Sequence, residues 1–247
     1  MNKRFEKSQE IAVVLAAGKG ERMYPLTLST PKPLVPVLGQ PMIETVLAGL
    51  QRRGVGHIYV VVGYLKEQFA YLSKKYNNLT LLENLEYSFK NNISSIYAAR
   101  EVMGQANCFV CEADLYVSDT SIFEADLVHS CYFGKMVAGH SDDWVLRTQG
   151  DLISEIGVGG DDLFNMAGIS YFQQVDAQKI VQAVEATCQE PEHEQLYWDE
   201  VVDKLIRQGG LKITVQEVPA SAIVEIDSAA ELQAVEADLQ NRVVNQK

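Results

Sequence analysis

Five consecutive apolar residues, Ile11 to Leu15, run directly into Ala16-Ala17-Gly18-Lys19-Gly20, and that junction limits the possible folds more than any other feature of the chain. A continuous apolar run of this length fits a strand buried on both faces, the habit of parallel sheets, and the small residues behind it predict a Gly-rich turn. Met42, Val46, Leu47 and Leu50 then recur at helical spacing, Gly54 and Gly56 stop the helix, and IYVVVG supplies a second buried strand. This is a β-α-β unit. Tyr64 to Lys75 predicts a further helix, LTLLEN a short strand, Asn92 an N-cap for a helix through ISSIYAAREV, and CFVCEAD another strand. The fold class expected is α/β: an open, mainly parallel, Rossmann-like sheet with helices on both faces and ligands beyond the carboxyl ends of its strands.

From about Tyr132 the pattern changes. CYFGKMVAG, WVLRT, LISEIGV and NMAGISYF read as short extended pieces separated by Gly and Asp turns, and predict an added antiparallel part. Helical periodicity returns over Ala177 to Thr187 and Trp198 to Ile206, with a loop around Pro191; KITVQEV then predicts a strand before a last helix near Asp227. No Pro/Ser-rich linker or repeat divides the 247 residues. One domain over 1–247 is expected, with a nucleotide-binding half at about 10–115 and an acceptor-binding half at about 116–240.

The apolar runs are too short to span a bilayer, and the N-terminal MNKRFEKSQE lacks the apolar core and cleavage site of a signal peptide, so a cytoplasmic protein is expected. A net charge of −12 argues against nucleic acid as a partner. An anionic substrate must therefore meet a local basic cluster or a metal. Cys108 and Cys111 have CxxC spacing, but on a strand their side chains point to opposite faces; with only Cys131 and Cys188 besides, no zinc pattern is complete. His57, His129, His140 and His193 show neither metal-ligand spacing nor a nucleophile partner.

In the candidate nucleotide-binding segment that begins at Leu15, the small residues Ala16, Ala17, Gly18 and Gly20 let backbone N–H groups approach a nucleotide closely, while Lys19, Arg22 and Lys32 bring positive charge to the same place, an arrangement suited to a triphosphate. The segment lacks the G-K-[ST] ending of a Walker loop and the third glycine of GxGxxG. Asp114 ends an apolar strand and Asp227 follows the apolar IVEI, positions where a carboxylate is rare unless paired, metal-bound or capping a helix.

The stretch from Leu15 to Leu34, LAAGKGERMYPLTLSTPKPL, matches without a gap the pattern LAAGxGxRxxPLTxxxPKxL of the sugar-phosphate nucleotidyltransferase superfamily. The resemblance is greatest to the bacterial CTP:phosphocholine cytidylyltransferases and extends through VVVGYLKEQF, the asparagine pair before SSIY, EAD, Trp144, LYWDEVV and EIDS. It implies Mg²⁺ as cofactor, held by Asp114 and Asp227, with Arg22 and Lys32 on the triphosphate as further catalytic residues. It also implies Asn91, Asn92 and Ser94 near the base, their alternative being an Asn-rich turn and helix cap. Trp144, Tyr197, Trp198 and Asp199, in the acid-rich segments SDDW and LYWDE, suit an acceptor carrying a quaternary ammonium, though large aromatics in such segments also serve as packing. The expected reaction is CTP with phosphocholine, giving CDP-choline and pyrophosphate. A 2-aminoethylphosphonate or phosphoethanolamine acceptor, a sugar 1-phosphate, and a non-catalytic nucleotide sensor are the alternatives.

Overall fold

The computed structural model describes residues 10–245; the tail MNKRFEKSQ, read above as lacking a signal peptide, lies outside the described residues. β1 (Ile11–Ala16) is buried at every position, as its unbroken apolar character requires. Because successive side chains alternate, Ala12, Val14 and Ala16 enter one core with Ile43, Leu47 and Leu50, whereas Ile11, Val13 and Leu15 enter a second core on the opposite face.

Two small strands, β2 (Pro36–Val37) and β3 (Gln40–Pro41), lead into α1 (Met42–Arg53), which crosses to β4 (His57–Val62), parallel to β1. Gly54, left-handed at φ 80°, ends α1. After β4 the expected helix over Tyr64 to Lys75 forms only in part. The chain makes a 3-10 turn over Lys66–Tyr71 and one α-turn, α2 (Leu72–Lys75), before β5 (Leu79–Glu83). Leu65 enters this turn in the left-handed region at φ 48°, a conformation that an α-helix cannot include.

The chain continues through α3 (Ile93–Ala98), α4 (Arg100–Met103), β6 (Cys108–Glu112) and β7 (Leu115–Val117). It then forms the two longest strands, β8 (Cys131–Gln149) and β9 (Leu152–Phe172). Here the four short pieces expected become one antiparallel hairpin. The glycines and aspartates between the pieces are where this hairpin bends back on itself: Gly139, Gly159 and Asp162 adopt positive φ within the strands, Gly150, φ 61°, lies between them, and Val145 and Leu146 pair both with Gly157 and Ile156 and with Asn165 and Phe164. α5 (Gln174–Thr187), α6 (Trp198–Arg207), β10 (Thr214–Glu217), β11 (Ile223–Glu225) and α7 (Ala229–Asn245) complete the chain.

The main sheet has the order β10-β8-β9-β6-β1-β4-β5, parallel among β6, β1, β4 and β5 and antiparallel where β9 joins β6. α1 and α2 contribute to one core, α3, α5 and α6 to the other, so helices cover both faces. Cys108 and Cys111 fall in opposite cores and are free thiols, as the strand reading requires. Among the described residues no helix is long and apolar enough to cross a membrane.

Candidate active site

A cleft of about 550 Å³ opens at the carboxyl ends of β1 and β6, lined on one side by Leu15 to Arg22 and Lys32 and on the other by Glu112, Asp114 and Asp227. Its volume is within the range that admits a nucleotide-sized ligand. Gly20 turns the loop in the left-handed region, φ 63°, and its missing side chain leaves room for the Lys32 stem, whose Cβ would lie 2.7 Å from a Cβ at this position.

Two E-x-D segments meet in this cleft. Glu112 and Glu225 are the last residues of β6 and β11, with Asp114 and Asp227 two positions beyond; the antiparallel pairing of β7 with β11 sets Glu225 opposite Leu115, and Ile226 N–H donates to the Asp114 carbonyl at 3.2 Å. The carboxylate oxygens of Asp114, Glu225 and Asp227 consequently lie within 4.8 Å of one another. Asp114 Oδ1 is buried and accepts no hydrogen bond from the described residues. Three hard oxygen donors, one of them buried and otherwise unsatisfied, fit a small divalent cation such as Mg²⁺.

Arg22 Nη2 donates to Asp227 Oδ1 at 2.7 Å. Lys32 Nζ donates to Asp114 Oδ2 at 2.6 Å and also to Asp227 Oδ1. Burial alone would lower the Lys32 pKa, but the charges and hydrogen bonds of the two aspartates outweigh it and hold the ammonium above its ordinary value. The capping alternative for Asp227 does not describe its side chain. Ser228 Oγ accepts from Glu231 N–H and Glu231 Oε2 accepts from the N–H groups of Asp227 and Ser228, which leaves the Asp227 carboxylate to the cleft.

Asn91 and Asn92 line the cleft beside Tyr87 and Ser95. Asn92 does not cap its own helix: its Oδ1 accepts from Trp198 N–H at 3.0 Å, while Asn91 Nδ2 donates to the Gln195 carbonyl at 3.2 Å, tying the segment before α6 to the start of α3. Ser94 is turned into the protein. It is buried, donates to the Asn91 carbonyl and accepts from Asn84, and is not among the lining residues, whereas Ser88 and Ser95 are, Ser95 also accepting from Asn84.

Tyr197 lines the cleft, 41% exposed; Trp144 of β8 packs against the core outside the lining residues and meets the Tyr197 ring, centroids 5.5 Å apart at 65°, to form an aromatic corner. Trp198 is not part of that corner. Adjacent positions at a helix start diverge by about 100°, and its indole, 3% exposed, packs against Tyr132 and Phe172 in the core. Asp199 is likewise buried, and accepts from Tyr132 Oη at 2.9 Å.

Burial pushes the Asp199 carboxyl up to about 7, against the opposing hydrogen bond from Tyr132. A folded pKa above the unfolded value near 3.9 means that the unfolded chain gives up this proton first. The stability associated with the protonated group is therefore complete below about pH 4 and is lost as pH rises towards 7. At about 1.4 kcal/mol per pKa unit the decline amounts to a few kcal/mol. Asp199→Asn, which can still accept from Tyr132, is expected to lack that decline; urea unfolding of both proteins at pH 5 and pH 8 measures it, and parallel pH dependences would show that Asp199 is ionised in the fold.

Sequence reasoning passed over Glu112, which lines the cleft, and Glu225, which joins its two aspartates, as well as lining residues such as Tyr87, Ser88 and Ser95. The first two carried a usable signal, since positions i and i+2 of a strand share a face and each glutamate precedes an expected metal ligand by two.

The sequence profile of the MobA-like NTP transferase domain matches residues 12–151. The chain belongs to that family. It is a nucleotidyltransferase, and its similarity to known members extends well beyond the matched half. It is 50% identical over 225 residues, 90% of each chain, to the 2-aminoethylphosphonate cytidylyltransferase of Lancefieldella rimae. Identity is 36% over 231 residues to the choline-phosphate cytidylyltransferase of Streptococcus pneumoniae, covering 93% of this chain and 98% of that one. The solved structure of the CTP:phosphocholine cytidylyltransferase LicC from S. pneumoniae superposes with a TM-score of 0.86 at 34% identity, over 94% of this chain and 99% of that one.

Proposed function

We propose that this cytidylyltransferase transfers the cytidylyl group of CTP to 2-aminoethylphosphonate, releasing pyrophosphate. The observation that carries the choice of acceptor is the 50% identity, over 90% of both chains, to a 2-aminoethylphosphonate cytidylyltransferase. The cleft chemistry supports it. A primary ammonium has three N–H donors to satisfy, and the cleft offers acceptors outside the metal-binding set, the Glu112 carboxyl and the Tyr197 hydroxyl. Phosphocholine, the acceptor that the sequence resemblance favours, is the second reading: the Trp144–Tyr197 corner offers ring faces to a quaternary ammonium.

In this reading an anionic phosphonate oxygen attacks the α-phosphorus in line, the bond from that phosphorus to the bridging oxygen breaks, and pyrophosphate leaves. No protein nucleophile is needed, because the attacking oxygen is already ionised, and catalysis is positioning and charge neutralisation. The loop from Leu15 to Gly20 supplies backbone N–H groups, and Lys19, Arg22 and Lys32 neutralise the phosphates. Asp114 and Asp227 would hold Mg²⁺, with Glu225 beside them; when bound, the ion adds positive charge next to the reacting phosphates. Asn91, Asn92 and Ser95 lie where amide and hydroxyl groups could meet the cytosine edge.

Pyrophosphate release with CTP and each of 2-aminoethylphosphonate, phosphoethanolamine and phosphocholine is the test. The phosphonate is expected to give the highest kcat/KM, by roughly tenfold or more, as one well-placed charged hydrogen bond would produce. A higher value for phosphocholine would establish the second reading, and equal rates with all four nucleoside triphosphates would remove the cytidine assignment. Trp144→Leu and Tyr197→Leu are expected to raise the acceptor KM roughly five- to thirtyfold through lost cation–π contact, with the CTP KM unchanged. If the variants instead lost thermal stability with the acceptor KM unchanged, the two rings would be packing residues.

A further inference from the structure

Lys32 holds the position in the cleft where a metal ion would bridge the two aspartates. Its ammonium nitrogen is 2.6 Å from Asp114 Oδ2 and also contacts Asp227 Oδ1, and only 8% of its side chain is exposed. A Mg²⁺ or Mn²⁺ ion shared by the same two oxygens would need both at about 2.1 Å, which overlaps the volume of the Nζ atom, and an ion held instead through the unpartnered Asp114 Oδ1 would still face the ammonium across the same carboxylate. The ammonium and the ion also repel each other, so one excludes the other. We infer that Lys32 is a built-in counter-ion that seals the metal site of the free enzyme, and that a divalent cation enters only when a nucleotide triphosphate draws the ammonium away. The inference rests on the assignment of Asp114 and Asp227 as the metal-binding pair and is independent of the identity of the acceptor.

The surroundings supply both ends of the movement. The lysine stem lies against Gly20, whose lack of a side chain leaves space for it, and Gly20 belongs to the loop that lines the proposed phosphate site. Asp227 retains a second cation, Arg22 at 2.7 Å, when the ammonium leaves. Asp114 has no such reserve, because its Oδ1 is buried without a hydrogen-bond partner and its Oδ2 is paired with Lys32. The ammonium is therefore held until something replaces its charge at Asp114. Metal alone must pull the ammonium off both aspartates at once, whereas a metal–triphosphate complex brings the replacement cation and a polyanionic partner for the lysine together.

The experiment is Mn²⁺ binding to the full chain without nucleotide, followed by the electron paramagnetic resonance of free Mn²⁺, for the wild type, Lys32→Met and Lys32→Met with Asp114→Asn. The methionine variant keeps the stem and removes the charge. It is expected to bind Mn²⁺ at least about tenfold more tightly than the wild type, given the Coulomb energy of a like charge a few ångströms away, and the added Asp114→Asn change is expected to abolish the gain. A non-hydrolysable CTP analogue should raise Mn²⁺ binding by the wild type and change that of Lys32→Met much less. Lys32→Gln takes the place of Lys32→Met if the latter does not fold without metal. Equal or weaker Mn²⁺ binding by the uncharged variant would overturn the inference. Tighter binding that survives Asp114→Asn would place the metal elsewhere and defeat the metal-site assignment instead.

Discussion

Asp114→Asn is expected to lower kcat by roughly a thousandfold, with the fold retained. The substitution keeps size and shape and removes one negative charge from the cluster of Asp114, Glu225 and Asp227. A divalent ion next to a transferring phosphoryl group contributes several kcal/mol of charge stabilisation, and each 1.4 kcal/mol is a factor of ten in rate. Lys32 keeps Asp227 as a partner in the variant, and an asparagine oxygen still accepts its hydrogen bond, so the ammonium is not stranded. Single-turnover rates over a range of Mg²⁺ concentration, with thermal melts, measure the effect. Near-normal turnover at saturating Mg²⁺ would remove Asp114 from the metal site.

Gly20→Val is expected to reduce kcat/KM by roughly a hundredfold, the scale on which a misplacement of about 1 Å acts. Two independent strains converge at this residue. Its φ of 63° is left-handed, which a β-branched side chain adopts only at a cost of about 1–2 kcal/mol or more. The new Cβ would also fall 2.7 Å from Lys32 Cβ, so the lysine stem must move and its ammonium with it. The loop and Lys32 would then lose their common geometry while the strands beneath them keep theirs. Kinetics with CTP, together with far-ultraviolet circular dichroism for the fold, provide the measurement. A variant that folds and retains wild-type kcat/KM would show that the Gly20–Lys32 contact is dispensable.

Much of the first half of the chain was legible because its signals are local. The apolar run of β1, the periodicity of α1 and the Gly-rich turn each depend on residues a few positions apart, so strand, crossover and loop could be read without knowing what lay opposite. The same holds for the alternation that sends Cys108 and Cys111 into separate cores. In the second half the glycines and aspartates of β8 and β9 marked the bends, but a positive φ serves a bulge within a continuous strand as well as a turn between two. Only pairing along the hairpin decides between them.

The site divides along the same line. Residue chemistry and the motif were enough to single out Lys19, Arg22, Lys32, Asp114 and Asp227, because carboxylates at strand ends and cations in a Gly-rich loop are unusual wherever the chain goes next. That Lys32 lies between Asp114 and Asp227, that Glu225 joins them, and that Trp144 meets Tyr197 while Trp198 packs into the core all required the tertiary structure. The physical reason is distance along the chain. β7 must pair with β11, and the hairpin must fold over the start of α6, before residues separated by 82, 195 or 205 positions can share a charge or a hydrogen bond. The sequence determined the composition of the cleft; long-range pairing decided which of its charges face one another.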